Sequence, residues 1–335
     1  MLVWLLSWTA VADDRAEFER WLAREQLPEQ LTEITERGGY RYQAQLFRDI
    51  AAAIAERPGR VEVEKFGRSH TSRSMWAFHV TDPAGPPAKR KVLIFGGIHA
   101  MEWIAAEAAT ETLIDLIYNP QPGVMVTVIP LLNPDGRAKV ELDLERGENT
   151  WRRGNRQNVD LNRDFAVNRE PKAIWRHLPI AKNFYHPTPG PLSQPESKAL
   201  DALADRERYD RAASLHAYGG FFFYPWAGRF GPIPTEDRRE FLRLGGLMEQ
   251  AQGRHAYRTR QLGRYLFFFR AQGAELDHLY GKFGTKAFLV ELTRTGIPLT
   301  KPWQWGRLFQ RYNPHDRERH VFQATSAMRA LISAD

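Results

Sequence analysis

Short apolar runs alternate with longer amphipathic stretches along most of this chain. The short runs are bounded by polar or turn residues, as β-strands typically are, and they lie at 60–66, 74–81, 91–96, 124–130, 211–216 and 286–292. The longer stretches repeat apolar residues at helical spacing and lie at about 40–57, 103–118, 195–206, 235–252 and 316–333. This alternation predicts an α/β fold in which helices cover both faces of a sheet.

No linker-like, low-complexity or repeated segment divides the 335 residues, so the sequence predicts a single domain over 40–335. Residues 13–39 are interpreted as a mostly helical N-terminal extension. Residues 1–12 are apolar and end in an Ala-Val-Ala pattern, which resembles the end of a secretory signal peptide. We therefore expect 1–12 to be a signal-peptide remnant and the protein to be exported to the periplasm or outside the cell. Because no basic region precedes the apolar stretch, a cytoplasmic location is the alternative.

The composition narrows the possible functions without selecting one. The net charge is +7, but basic residues are interleaved with acidic ones, which favours a solvated surface over a nucleic-acid site. The absence of cysteine excludes disulfides, thiol catalysis and cysteine-ligated zinc. The apolar N-terminal stretch is too short for a membrane span, so no stable insertion is expected.

The candidate chemistry begins where the apolar run 91–97 ends. His99 and Glu102 lie on the turn that follows this run, and His216 lies at the end of another short run. Two histidines and one carboxylate leave one zinc coordination position open, which is the arrangement of a catalytic zinc site. Glu291 interrupts an apolar strand, where a carboxylate is costly unless it is paired or functional. It is therefore a candidate general base for a water molecule at such a site.

Several ordered motifs around these residues resemble the metallocarboxypeptidases of the carboxypeptidase A/B type, the funnelins. The motifs are GRS at 67–69, GGIHAMEW at 96–103, NPDG at 133–136, WRRGNR at 151–156, VDLNRDF at 159–165, SLHAY at 214–218 and VELTRTG at 290–296. The resemblance covers roughly residues 40 to 330. It implies a mixed, mostly eight-stranded sheet, one zinc ion per chain, and a catalytic domain that removes the C-terminal residue from peptides or proteins as a monomer.

The resemblance also implies roles for individual residues. Asp160 would accept a hydrogen bond from the metal ligand His99. Arg152 would stabilise the oxyanion, with Arg153 as its structural neighbour. Asn162 and Arg163 would hold the terminal carboxylate of the substrate, because a guanidinium makes two parallel hydrogen bonds to a carboxylate. Tyr218 matches a substrate-contacting aromatic residue, although a packing role is equally consistent with its position.

Three positions bear on the substrate. Met101 stands where relatives have an arginine directly before the glutamate ligand. Phe269 falls where the family places a mobile tyrosine, and Tyr265 could substitute for it if the loop is shifted. Leu276 falls at the floor of the specificity pocket, which predicts hydrophobic or aromatic terminal side chains. Glu275 and Asp277 flank Leu276, so a shift of one residue would instead predict basic ones.

Three hypotheses remain at this point. The first is a zinc exopeptidase that acts on C-terminal L-amino acids. The second, motivated by Met101 and Phe269, is a zinc amide hydrolase acting on cell-wall peptides or N-acyl amino acids. The third is a non-catalytic peptide-binding module, which the intact set of candidate ligands, base and arginine disfavours.

Overall fold

The computed structural model describes residues 2–25, 39–149, 151–169, 188, 190–265, 270–294, 306 and 308–335, with side chains from residue 13 onward. Its strands are β1 (Val61–Arg68), β2 (Ser74–Val80), β3 (Arg90–Phe95), β4 (Val124–Ile129), β5 (Arg211–Ala217), β6 (Phe221–Tyr224), β7 (Arg258–Gln261) and β8 (Lys286–Leu292). Its α-helices are α1 (Leu2–Arg24), α2 (Gln43–Glu56), α3 (Trp103–Tyr118), α4 (Pro134–Glu145), α5 (Pro195–Glu207), α6 (Thr235–Gln252), α7 (Leu262–Tyr265), α8 (Glu275–Phe283), α9 (Leu308–Tyr312) and α10 (Arg317–Ser333).

The eight strands form one mixed sheet in the order β1-β2-β4-β3-β5-β8-β6-β7. The four central strands, β4, β3, β5 and β8, run parallel to one another. The flanking pairs β1–β2, β2–β4 and β6–β8 are antiparallel. The predicted α/β class and eight-stranded mixed sheet are therefore confirmed.

The central strands consist mostly of apolar residues because both faces of the sheet are covered. In β3, Val92 and Ile94 pack into one hydrophobic cluster, while the alternating Leu93 and Phe95 pack into a second one on the opposite face. The first cluster includes residues of α2, α3, α6 and α10, and the second includes residues of α5 and α8. Helices on both faces are thus confirmed.

Helix α1 packs on the β1–β2 edge of the sheet. Phe18 is buried and meets the ring of Trp76 edge-on, with centroids 5.2 Å apart. The Asp14 carboxylate accepts a hydrogen bond from the Lys65 backbone N–H at 3.0 Å. The helix runs without a break through the predicted cleavage position, and residues 26–38 of the predicted extension lie outside the described part of the chain. None of the described helices has the length and apolar character needed to cross a membrane.

A glycine pair after β3 sets the close approach between this strand and α3. A Cβ on Gly96 would lie 2.5 Å from the Ala105 carbonyl oxygen, and Gly97 has a φ of +65°. Glycine is therefore required at both positions: Gly96 has no room for a Cβ atom, and Gly97 has a positive φ that glycine adopts at low cost. The turn that follows carries His99 and Glu102, and α3 begins directly after Glu102. The start of α3 and the carboxyl ends of β5 and β8 therefore converge at one edge of the sheet, where open α/β sheets bind ligands.

Candidate active site

His99, Glu102 and His216 form a buried cluster at this edge. His99 Nδ1 lies 2.9 Å from Glu102 Oε1 and 3.0 Å from His216 Nδ1, and His216 Nδ1 lies 3.4 Å from Glu102 Oε2. All three side chains are almost completely inaccessible to solvent. Within the described residues, they are the one group of histidines and carboxylates close enough to share a metal ion.

The donor atoms fit a zinc ion. Metal–ligand bonds of about 2.1 Å in a tetrahedron place neighbouring ligand atoms about 3.4 Å apart, close to the separations seen here. Two imidazole nitrogens that face each other at 3.0 Å cannot both carry a proton. A cation between them would let both present lone pairs. Burial opposes the charged form of His216, but the Glu275 and Glu102 carboxylates outweigh that effect and raise its pKa to about 10. Metal binding would therefore have to displace a proton.

The outer nitrogen of each histidine also faces a carboxylate. His99 Nε2 lies 3.1 Å from Asp160 Oδ1, the partner that the resemblance implied. His216 Nε2 lies 2.9 Å from Glu275 Oε1 and 2.8 Å from the Ser214 hydroxyl. The sequence analysis considered Glu275 only as a neighbour of the specificity pocket and missed this contact.

The structure places the two adjacent arginines, Arg152 and Arg153, in different surroundings. Arg152 turns away from the cluster, pairs with Asp143 through an Nη2–Oδ1 contact of 3.0 Å, and does not line the cavity described below. Arg153 lies instead beside the cluster, with Nη1 3.2 Å from Glu102 Oε1 and Nε 2.8 Å from Asp160 Oδ2. Burial opposes the charge on Arg153, but the Asp160 and Glu102 carboxylates outweigh that effect and raise its pKa. Of the two arginines, Arg153 is thus the one that lines the cavity.

Glu291 lies directly beside His216, because the two residues are register partners on the parallel strands β5 and β8. Its Oε2 atom is buried and has no hydrogen-bond partner among the described residues. Burial raises the pKa of Glu291 to about 8, and the neighbouring Glu102 carboxylate acts in the same direction. A carboxylate with an unpaired oxygen and a raised pKa is suited to accept and return a proton.

A cavity of about 410 Å³ opens in front of these groups, a volume that suits a small ligand. Its lining residues are Arg153, Asn162, Arg163, His216, Ala217, Tyr218, Leu262, Ala271, Leu289, Glu291 and Tyr312. Four predicted residues besides the candidate metal ligand His216 therefore meet in one space: Asn162, Arg163, Tyr218 and Glu291. The Asn162 side-chain oxygen accepts a hydrogen bond from the Glu275 backbone N–H at 3.2 Å, which leaves its amide group as the available donor.

The structure places the predicted pocket-floor residue, Leu276, away from this cavity. Leu276 is buried in the second hydrophobic cluster and does not line the cavity. The apolar lining comes from Leu262, Ala271 and Leu289. Asp277 is also turned away, because its carboxylate accepts hydrogen bonds from the Ala227 and Gly228 backbone N–H groups at 2.6 and 2.9 Å. Phe269 lies outside the described residues.

Helix α9 adds two residues that the sequence analysis did not predict. Tyr312 lines the cavity, and its ring meets that of Tyr218 edge-on with centroids 5.2 Å apart. Arg311 Nε donates to the Tyr218 hydroxyl at 2.7 Å. Neither residue lies in one of the motifs named above, so the sequence alone did not mark them as site residues.

Comparisons with known proteins identify the family of this chain. The chain belongs to the zinc carboxypeptidase family, peptidase M14, whose model matches residues 48–316. It is 26% identical over 256 residues to a metallocarboxypeptidase A-like protein of Trichophyton verrucosum, covering 70% of this chain and 58% of that protein. It is also 26% identical over 269 residues to the inactive metallocarboxypeptidase ECM14 of Saccharomyces cerevisiae, covering 71% and 60%.

The fold is similar to that of bovine thrombin-activatable fibrinolysis inhibitor, solved in complex with tick carboxypeptidase inhibitor. The TM-score is 0.69 at 20% identity, and the match covers 89% of this chain and 98% of that one. At this identity the likeness concerns the fold alone. The chain spans about three-fifths of the length of the two curated relatives described above.

Proposed function

We propose that this protein is a zinc-dependent exopeptidase that removes the C-terminal residue from peptides. The observation that carries the proposal is the shared cavity of Arg163, Asn162, His216 and Glu291. A cationic fork and an amide donor can bind a terminal carboxylate, and the candidate base lies in the same space. This combination favours peptides with a free C-terminus over internal peptide bonds.

His99, Glu102 and His216 would hold one zinc ion per chain, as their donor-atom separations support. When bound, zinc would act as a Lewis acid toward the scissile carbonyl and would activate a water molecule for attack. Asp160 would hold the His99 ring by accepting a hydrogen bond from its Nε2–H group.

Two side chains would carry the remaining chemistry. Glu291 would accept a proton from the attacking water and pass it to the leaving amine. Arg153 would stabilise the negative charge that develops on the carbonyl oxygen, since its guanidinium is already held beside Glu102. Arg163 and Asn162 would fix the substrate so that the carbonyl is aligned with these groups.

The apolar lining of the cavity supports a preference for hydrophobic or aromatic terminal residues. Leu262, Ala271 and Leu289 offer no charge to a lysine, arginine, aspartate or glutamate side chain. A charged side chain placed against them would lose hydration without gaining a partner.

Metal analysis together with a panel of N-blocked dipeptides tests the proposal. We expect about one zinc ion per chain and hydrolysis of free-acid dipeptides that end in phenylalanine or leucine. Preferential cleavage of C-terminal amides or of N-acyl amino acids would favour the amide-hydrolase hypothesis. Zinc binding without turnover of any panel member would favour a non-catalytic module.

A further inference from the structure

Glu275 makes a contact that its position on a helix does not explain. An acidic residue in the first turn of a helix usually lies at the surface, where it interacts with the helix dipole. Glu275 begins α8, yet its side chain is 0% exposed, and its Oε1 atom lies 2.9 Å from His216 Nε2. Burying a carboxylate costs free energy unless a specific partner offsets the cost. Here that partner is a candidate metal ligand.

The Glu275–His216 contact has the same form as the contact between Asp160 and His99. His99 directs Nδ1 into the metal cluster and Nε2 toward Asp160, while His216 directs Nδ1 into the cluster and Nε2 toward Glu275. Both carboxylates are buried. Asp160 and Glu275 come from different parts of the fold, so the symmetry does not follow from a repeated motif.

Ser214 offers a second oxygen to the same nitrogen. It lies two residues before His216 on β5, so its side chain points to the same face of the sheet, and its hydroxyl is 2.8 Å from Nε2. A carboxylate is the stronger acceptor because the hydrogen bond is charge-assisted. We therefore expect Glu275 to dominate and Ser214 to contribute less.

We propose that Glu275 is a positioning residue that holds His216 as the tautomer with its proton on Nε2, which leaves the Nδ1 lone pair for the metal ion. This inference rests on the proposed function, because it takes His216 as a zinc ligand. Through its backbone N–H, Glu275 also holds the Asn162 oxygen, so the start of α8 positions both the metal centre and part of the carboxylate-binding pair.

The zinc dissociation constant, measured by competition with a chromogenic chelator, tests the proposal. Loss of a carboxylate partner of a metal-bound histidine weakens metal binding by about 10–100-fold, and we expect Glu275→Gln to fall in that range. Asp277→Asn is the matched control, because Asp277 is a buried carboxylate on the same helix that bonds instead to two backbone N–H groups and the Asn168 amide. It should bind zinc as the wild type does. Ser214→Ala should weaken zinc binding by less than Glu275→Gln.

Two further readouts separate positioning from a general structural role. Thermal melting of the metal-free variants reports any loss of fold stability. The visible spectrum of the cobalt-substituted enzyme reports ligand geometry, and we expect it to change in Glu275→Gln but not in Asp277→Asn. If Glu275→Gln does not fold, the nitrogen-15 resonances of the wild-type zinc enzyme decide. A His216 proton on Nε2, shifted by a strong hydrogen bond, supports the proposal, and a proton on Nδ1 overturns it.

Zinc affinity of Glu275→Gln within about twofold of the wild type would overturn the inference while leaving the proposed function standing. If the wild type itself binds no zinc, the proposed function fails first. The two failures are therefore distinguishable in one titration series.

Discussion

Glu291 is the register partner of His216 across the parallel strands β5 and β8, so the candidate base and a candidate metal ligand are neighbours in the sheet. Adjacent strands lie about 4.8 Å apart, which fixes the spacing of the two side chains more firmly than a loop could. Both residues lie near the carboxyl ends of their strands. The arrangement explains how residues 75 positions apart in the sequence can act on one bound molecule.

Glu291→Gln should retain the fold and zinc while losing most turnover. The amide preserves the shape of the side chain but cannot accept the proton, and general-base assistance is worth about 10²–10⁴-fold. The measurement is kcat on a blocked dipeptide, with zinc content determined in parallel. Glu318→Gln, an exposed change at the start of α10, is the control. A kcat for Glu291→Gln within a few-fold of the wild type would assign the base to another residue.

Arg153→Ala and Arg152→Ala form a second comparison. Removing an oxyanion donor costs about 10²–10³-fold in kcat, and we expect that loss for Arg153→Ala only. Arg152 pairs with Asp143 outside the cavity, so its loss should change kcat little. Because Arg153 also contacts Glu102 and Asp160, both variants should be assayed at saturating zinc. Equal damage from the two substitutions would contradict the assignment.

Filling the apolar part of the cavity should alter substrate preference. Ala271 lines the cavity and is 3% exposed, so Ala271→Phe would occupy space needed by a large terminal side chain. We expect kcat/KM to fall more for a dipeptide ending in phenylalanine than for one ending in alanine. The alanine substrate serves as the internal control. An equal loss on both would indicate that the terminal side chain binds elsewhere.

The apolar runs predicted six of the eight strands, because burial of both sheet faces leaves a signal in the sequence. Two strands were missed. β7 lacks this signal, because it is a four-residue edge strand of polar residues, Arg258–Gln261. β6 is an apolar aromatic run, Phe221–Tyr224, but it is only four residues long. Their strand character comes from pairing with neighbours distant in the sequence.

The grouping of His99, Glu102 and His216 was predictable, because these residues lie in recognisable motifs. The direction in which each neighbouring side chain points was not predictable. Arg152 and Arg153 are adjacent and chemically identical. Asp143 and Asp160, which attract them in opposite directions, decide which one meets the cavity. The role of Glu275 depends in the same way on where α8 begins relative to β5. Such choices depend on tertiary contacts rather than on residue type.

Arg163→Ala tests exopeptidase character rather than hydrolysis in general. Arg163 is 5% exposed and lines the cavity beside Asn162. If the pair holds a terminal carboxylate, the variant should lose activity on a free-acid peptide far more than on the matched amide. Loss of a charge-assisted contact costs about 1.5–3 kcal/mol, or about 10–150-fold in kcat/KM. Part of the loss should appear in kcat, because a misplaced carbonyl is no longer aligned with Glu291 and Arg153.

The competing role for Arg163 is structural. Burial would raise the pKa of nearby Asp160, but the charges of Arg153, Arg163 and His99 outweigh that effect and lower it. A purely structural arginine would affect acid and amide substrates equally and would lower the melting temperature of the protein. The measurement is kcat/KM on the acid and amide pair for both proteins, with melting curves for each. Arg152→Ala serves as the matched arginine control, because Arg152 lies outside the cavity. Unchanged acid-to-amide ratios, or a wild type that already prefers the amide, would favour an amide hydrolase over an exopeptidase.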